Sequence, residues 1–177
     1  MIIMISYQVM NIHLSRIGLP KTIEEALDYK FEFTDVERDF IIGANAFLRR
    51  YAEFENYRLK DVYCLGTCLF NFTRIGIYYL LEDEIVTVST SNLKKINGEK
   101  PDWSINHFPF VVIEELDLEM AENIKNQKYE SGILYVKIRN QSGMKRTHVL
   151  HNVNPDQIEC FRNFYTNIMN NIRIRGA

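Results

Sequence analysis

Gly132-Ile133-Leu134-Tyr135-Val136-Lys137-Ile138-Arg139, then Asn140-Gln141-Ser142-Gly143, then Met144 to Leu150: this stretch decides the fold. Two extended, β-prone runs flank a short polar turn that contains glycine, the pattern of a β-hairpin. After His151 to Asn154 the period changes from extended to helical. An antiparallel sheet followed by an amphipathic helix has to bury a face of each against the other, so the fold class is α+β.

The closing helix carries its own start signal. Asn154 suits the cap, Pro155 the first helical position, and Gln157 reaches back to the cap from three residues on. Ile158, Phe161, Phe164, Tyr165, Ile168 and Ile172 then recur in steps of three and four. That spacing forms one apolar stripe, with Cys160 and Met169 at its margins. Asp156 and Glu159 near the start and Arg173 and Arg175 near the end complement the helix dipole.

Outward from this unit, composition limits the function classes. The chain has 177 residues, enough for one domain or a domain with an appendage. Hydrophobic residues make up 46% and charged residues 25%, which places it among globular rather than disordered chains. A formal charge of −2 supplies no general drive toward nucleic acid or an anionic membrane. Cys64, Cys68 and Cys160 are few and odd in number, which fits a reducing compartment and a cytoplasmic location. The apolar start, Met1 to Met10, lacks the basic flank and cleavage site of a signal peptide, and is expected to be a strand. Left at a sheet edge, that strand leaves room for a homodimer.

Thr22-Ile23-Glu24-Glu25 has the spacing of a capping box, and predicts a short helix to about Lys30. A second box at Thr34-Asp35-Val36-Glu37 opens a longer helix. Its apolar side holds Val36, Phe40, Ile41, Ala44, Phe47, Leu48 and Tyr51, fading by Glu55. Gly43 in its interior costs about 1 kcal/mol relative to Ala, so a close approach by another element is expected there.

Extended sequence is expected from Tyr57 onward, with Gly66 as a bulge or close approach. Arg74 to Leu81 and Ile85 to Thr90 form a hairpin around Glu82-Asp83-Glu84, an acidic connection expected to face water. Ile75 to Leu81 is apolar on both faces, which suits a central strand covered by a helix. Ser91 to His107 reads as a long connection, Phe108 to Ile113 as a strand limited by Pro109, and Glu114 to Glu130 as a polar, acid-rich segment with a helical turn near Met120-Ala121.

This order of antiparallel strands, last hairpin and C-terminal helix resembles the pleckstrin-homology-like (PH-like) barrels of many small bacterial proteins. The residues that carry the resemblance are Arg74 to Leu81 with Ile85 to Ser89, Ile133 to Leu150, and Asn154-Pro155-Asp156. It implies a strongly bent antiparallel sheet or barrel over residues 57–177, closed by the final helix. Residues 1–56 would be a strand and two-helix addition, the whole forming one compact unit. The cationic cluster with which some members hold phosphoinositides is not matched, since Arg58, Lys60 and Arg74 are widely spaced.

No catalytic constellation emerges. Cys64 and Cys68 on one strand face would lie about 13 Å apart, too far to share a zinc ion, and His148 and His151 at an odd spacing would point to opposite faces. Cys68 or Cys160 with His107 or His148 is a conceivable nucleophile and base pair, but no motif brings such a pair together. No phosphate-binding or nucleophile-elbow motif is present, and no metal or cofactor is implied. Lys94, Lys95 and Lys100 with Trp103 form a first candidate interaction surface, cations beside a stacking ring. The acids Glu114, Glu115, Asp117, Glu119 and Glu122 are a second surface, weighed against an ordinary solvated segment.

The expectation is a non-enzymatic domain that binds another protein, of adaptor, immunity or phage–host inhibitor type. Tyr63, Tyr78, Tyr79 and Tyr135, read as exposed strand aromatics, motivate it. The alternative is an enzyme or small-ligand binder with its pocket between the sheet and the helix at 35–54. A cavity lined by Cys68, His107 or His148 would mark that case.

Overall fold

The computed structural model describes residues 22–28, 35–91, 102–123, 128–140, 142–153 and 166. The expected N-terminal strand, the C-terminal helix and the lysines at 94, 95 and 100 lie outside the described residues. Among the described residues three helices come first: α1 (Ile23–Asp28), α2 (Asp35–Arg50) and the single turn α3 (Phe54–Tyr57). Seven described strands follow: β1 (Val62–Phe70), β2 (Arg74–Leu81), β3 (Glu84–Thr90), β4 (Ser104–Pro109), β5 (Ile113–Asn123), β6 (Lys128–Arg139) and β7 (Lys145–Val153). The protein is α+β, as expected.

All seven strands join one antiparallel sheet in the order β4-β3-β2-β1-β7-β6-β5. Every pair of adjacent strands is consecutive in the chain except at one seam, where β1 meets β7, and the consecutive strands β4 and β5 lie at opposite ends. That β1–β7 seam is short. Leu69 pairs with His151 and Phe70 with Leu150. The Asn71 N–H then donates to the Val149 carbonyl at 2.8 Å, and the Val149 N–H donates to Asn71 Oδ1 at 3.1 Å. Asn71 and Phe72 both take positive φ, 46° and 62°, to turn the chain into β2.

Two buried clusters show how the sheet is covered. On one face Ile77, Tyr79 and Leu81 of β2 and Val86 and Val88 of β3 pack against Ile23 and Leu27 of α1, Phe40, Ile41, Ala44 and Leu48 of α2, and Phe54 and Tyr57 of α3. On the other, Tyr78 and Leu80 of β2, Ile85 of β3 and Phe108 of β4 share a cluster with Leu116 of β5, Leu134 and Val136 of β6 and Leu150 of β7. In a flat sheet β4 and β7 would be about 19 Å apart, four strand spacings. The Phe108 ring of β4 nevertheless meets the His148 ring of β7 with centroids 4.8 Å apart, so the sheet bends over this face. No β4–β5 pairing closes it among the described residues.

Local chemistry explains the element ends. The Glu25 N–H donates to Thr22 Oγ1 at 3.2 Å, the side-chain cap expected for α1. α1 is tied to α2 by the Asn45 amide donating to the Leu27 carbonyl at 2.7 Å, and to the start of the sheet by the Thr22–Asp61 bridge. In the β6–β7 turn Asn140 Oδ1 accepts from the Met144 N–H at 2.8 Å and from the Ser142 hydroxyl at 2.7 Å. Gly143 there sits at φ 79°, where a side chain would be strained.

Five readings are corrected. Gly66 pairs regularly with Tyr78, and the bulge falls between Val62 and Cys64. The segment from Ser91 to His107 is not all connection, because β4 starts at Ser104. Phe108 to Ile113 is not one strand, because Pro109 ends β4 and a 3-10 turn, Phe110–Val112, precedes β5. Glu114 to Glu130 holds no helical turn at Met120, since Ile113–Asn123 and Lys128–Arg139 are paired strands. Tyr78 and Tyr79 are each 1% exposed, so they are core residues rather than contact residues, and only Tyr63 of the four tyrosines is largely open to solvent.

Candidate functional site

Polar side chains converge at the edge of the interface between the helices and the sheet. Trp103, just before β4, and Ile105 and His107 on it lie on the helix side, and His107 pairs with Val86 of β3. Glu84 opens β3 directly after the Glu82-Asp83 turn. It is buried, at 9% exposure, not solvated as its place beside two other acids suggested. His107 Nδ1 lies 3.0 Å from Glu84 Oε2. Lys60 Nζ donates to Glu84 Oε1 and to both Asp83 oxygens, each at 3.0 Å. Burial alone would raise the Glu84 pKa, but the hydrogen bonds from His107 and Lys60 outweigh it and leave the carboxyl below its ordinary range.

Aromatic rings from the α2–α3 junction enclose the imidazole. Tyr51 stacks on His107 with ring centroids 5.9 Å apart, and Tyr57 meets it edge to face at 5.7 Å. Burial holds the Tyr57 phenol above its usual pKa, and its neighbours Tyr51, Glu53, Glu84 and Tyr79 act in the same direction. The Glu84 carboxylate thus holds one imidazole nitrogen of His107, and the Tyr57 ring packs beside the imidazole. Among the described residues no thiol is part of this arrangement. Cys68 lies in the opposite cluster, where burial pushes its thiol far above the ordinary range.

The remaining candidates fall elsewhere. His148 packs on Phe70 and Phe108, with centroids at 5.8 and 4.8 Å, and His151 packs on Phe72 at 4.0 Å. Burial lowers the pKa of both imidazoles, and Arg146 adds to this at His148. Among the described residues no three His, Cys, Asp or Glu side chains are grouped as a metal ion needs.

Trp103 is packed. Its indole rests on α2 between Phe40 and Phe47, at centroid distances of 5.6 and 6.2 Å. Beside it Asp102 clasps the ends of the connection at 92–101. It accepts from Arg74 at 3.0 Å, from the Thr90 hydroxyl at 2.7 Å and from the Ser91 hydroxyl. The hydrogen bonds from Ser91 and Thr90, reinforced by the Arg74 charge, hold its pKa well below the usual carboxylate range.

The acid-rich surface is neutralised from within the sheet. Lys137 on β6 reaches Glu115 at 2.9 Å and Asp117 at 3.1 Å, and the Tyr135 hydroxyl donates to Glu119 at 3.1 Å. Glu114 pairs with Arg139 and Lys145. Such pairs facing water contribute little stability, but they leave few free charges for a basic partner.

The sequence suggests His107 as a base for cysteine or as a lining residue of a pocket, and places Glu84 on a solvated turn. The available signal was parity, because Trp103, Ile105 and His107 share a strand face and Glu84 begins a strand of alternating partners. Among the described residues no helix is long and apolar enough to cross a membrane. No family model matches the chain, and neither a curated protein nor a solved structure matches it.

Proposed function

We propose that this protein is a non-enzymatic interaction domain with a PH-like barrel, and that it takes an extended segment of a partner protein along β5. The observation that carries this reading is a pair of strand edges that have no partner strand among the described residues. The sheet joins its first and last strands at β1–β7 and leaves β4 and β5 as its two ends. β5 is the longer edge, eleven residues, and its inner row of Leu118 and Met120 is only partly buried against the core. Strand addition draws affinity from main-chain hydrogen bonds and specificity from side-chain pockets at alternate positions. The strand order supports the PH-like reading, being a meander that turns back onto its own first strand. In that reading the stripe from Ile158 to Ile172 covers the open side of the bent sheet, and the adaptor, immunity and phage–host inhibitor types are its specific forms. The interface between α2 and the sheet is packed with apolar side chains along most of its length, which weighs against a large pocket there.

A proline pair tests the mode. Neighbouring residues of an edge strand send their N–H groups in opposite directions, one into the sheet and one outward. Of Asp117→Pro and Leu118→Pro, one should unfold or distort the β5–β6 ladder. The other should leave the circular dichroism spectrum unchanged and abolish recovery of the partner in an affinity pull-down from the protein's own cells. Full recovery of the same partner by the folded proline variant would overturn strand addition at β5.

A further inference from the structure

We infer that a water molecule is bound between the His107 imidazole and the Tyr57 hydroxyl, completing a hydrogen-bonded chain from Glu84 through His107 to α3. This does not depend on the interaction reading. An ionised carboxylate only accepts, so His107 Nδ1–H donates to Glu84 Oε2 at 3.0 Å, which fixes that tautomer. His107 Nε2 is then a bare acceptor. Both Nε2 and Tyr57 Oη are buried and have no hydrogen-bond partner among the described residues. Tyr57 is 3% exposed, so its hydroxyl does not find bulk solvent instead. Buried polar groups left unpaired are rare, because each forfeits its hydration with nothing in return.

The two rings meet edge to face with centroids 5.7 Å apart, so the side chains that carry these two unpartnered atoms are direct neighbours, and the Tyr51 and Tyr79 phenols also act on Tyr57. The bound species has to donate to Nε2 and to accept from, or donate to, a phenol. A cation is disfavoured because Lys60 already holds the place beside Glu84, at 3.0 Å. A metal ion is disfavoured because no three ligating side chains of the usual kinds converge among the described residues. Water has both capacities, and needs two to four polar partners, a number these groups supply.

The test is nuclear magnetic resonance of the wild-type protein at pH 8. Long-range nitrogen–proton spectra of the His107 ring should show Nδ1 protonated and Nε2 unprotonated, with the Nε2 resonance moved from the free-acceptor position by hydrogen bonding. Cross-peaks from a long-lived water to the Tyr57 and His107 ring protons should accompany it. Protonation at Nε2, or a free-acceptor resonance without water cross-peaks, overturns the inference. In Tyr57→Phe the water cross-peaks should disappear and exchange of the Arg58 amide should rise about fivefold, as expected for one lost bridging bond. Persistence of unchanged cross-peaks in that variant also overturns it. Glu84→Gln keeps an oxygen acceptor for Nδ1 and should retain both tautomer and water, so a flip of the tautomer there would sink the proposed chain.

Discussion

Gly43→Ala should destabilise the protein although alanine is the better helix former. A Cβ built at Gly43 falls 2.6 Å from Cζ2 of Trp103, with Cη2 at 3.4 Å and Cε2 at 3.5 Å. Carbon atoms pack at about 3.5–4.0 Å, so the indole has to move by about 1 Å. It has little room to do so. Phe40 and Phe47 hold its faces, Asp102 before it is clasped by Arg74, Thr90 and Ser91, and Ser104 after it is already in the β4 ladder. Alanine recovers about 1 kcal/mol of helix propensity. Overpacking of a well-filled interface costs about 1–3 kcal/mol, and the rigid ring places this site toward the upper part of that range. The net expectation is a loss of about 1–2 kcal/mol. Urea denaturation followed by circular dichroism measures it, and Trp103, the single tryptophan, reports the same site by fluorescence. Trp103→Leu supplies the control, because in that background Gly43→Ala should become neutral or stabilising. A gain of about 1 kcal/mol from Gly43→Ala with Trp103 intact would refute the reasoning, as would additivity of the two substitutions.

Asn71→Gly keeps the positive φ of 46° accessible but removes the side-chain oxygen that accepts from the Val149 N–H, so the β1–β7 seam should lose about 1 kcal/mol and the Val149 amide should exchange faster; unchanged exchange would count against that bond. Acid should loosen the same seam. Burial lowers the folded-state pKa of His148 and His151 below the ordinary 6.5, so the unfolded chain binds more protons, and the stability present above that pH is lost progressively as the pH falls through the folded values. Denaturation midpoints between pH 8 and 5 should decline, and a slope unaltered by His148→Gln together with His151→Gln would exclude these groups as its source. The carboxyls of Glu84 and Asp102, held below their ordinary range, should add a further loss at lower pH, beginning near 4.5 and 3.8 respectively. Cys68 is 5% exposed with its thiol pushed up by burial, so iodoacetamide should leave it unmodified in the native protein and label it in urea, as read by peptide mass spectrometry.

Pattern alone locates most elements whose faces differ in character. The periods of α2, β2, β3, β6 and β7 are visible in the chain because each buries a regular row of side chains, and the glycine in α2 announces the close approach that Trp103 makes. β5 was missed although Glu115 to Met120 alternates acid with apolar residues without a break. Its high charge suggested a solvated segment, whereas Lys137, Arg139 and Lys145 on its neighbours answer those charges. Glu84 was misplaced for the opposite reason. It reads as the third acid of a turn, and only the pairing of β2 with β3 makes the turn two residues long and draws Glu84 into the ladder.

By itself the sequence determined the α+β class, the β2–β3 and β6–β7 hairpins and the amphipathic face of α2, because these follow from local periodicity and turn chemistry that neighbouring residues carry. The tertiary structure decided which strands end the sheet, that β1 and β7 join at a short seam, and that Glu84, His107 and Tyr57 meet. Those outcomes depend on pairings between residues far apart in the chain, whose register is fixed by the bending of the sheet and the packing of α2 and α3 upon it, and no local pattern encodes them.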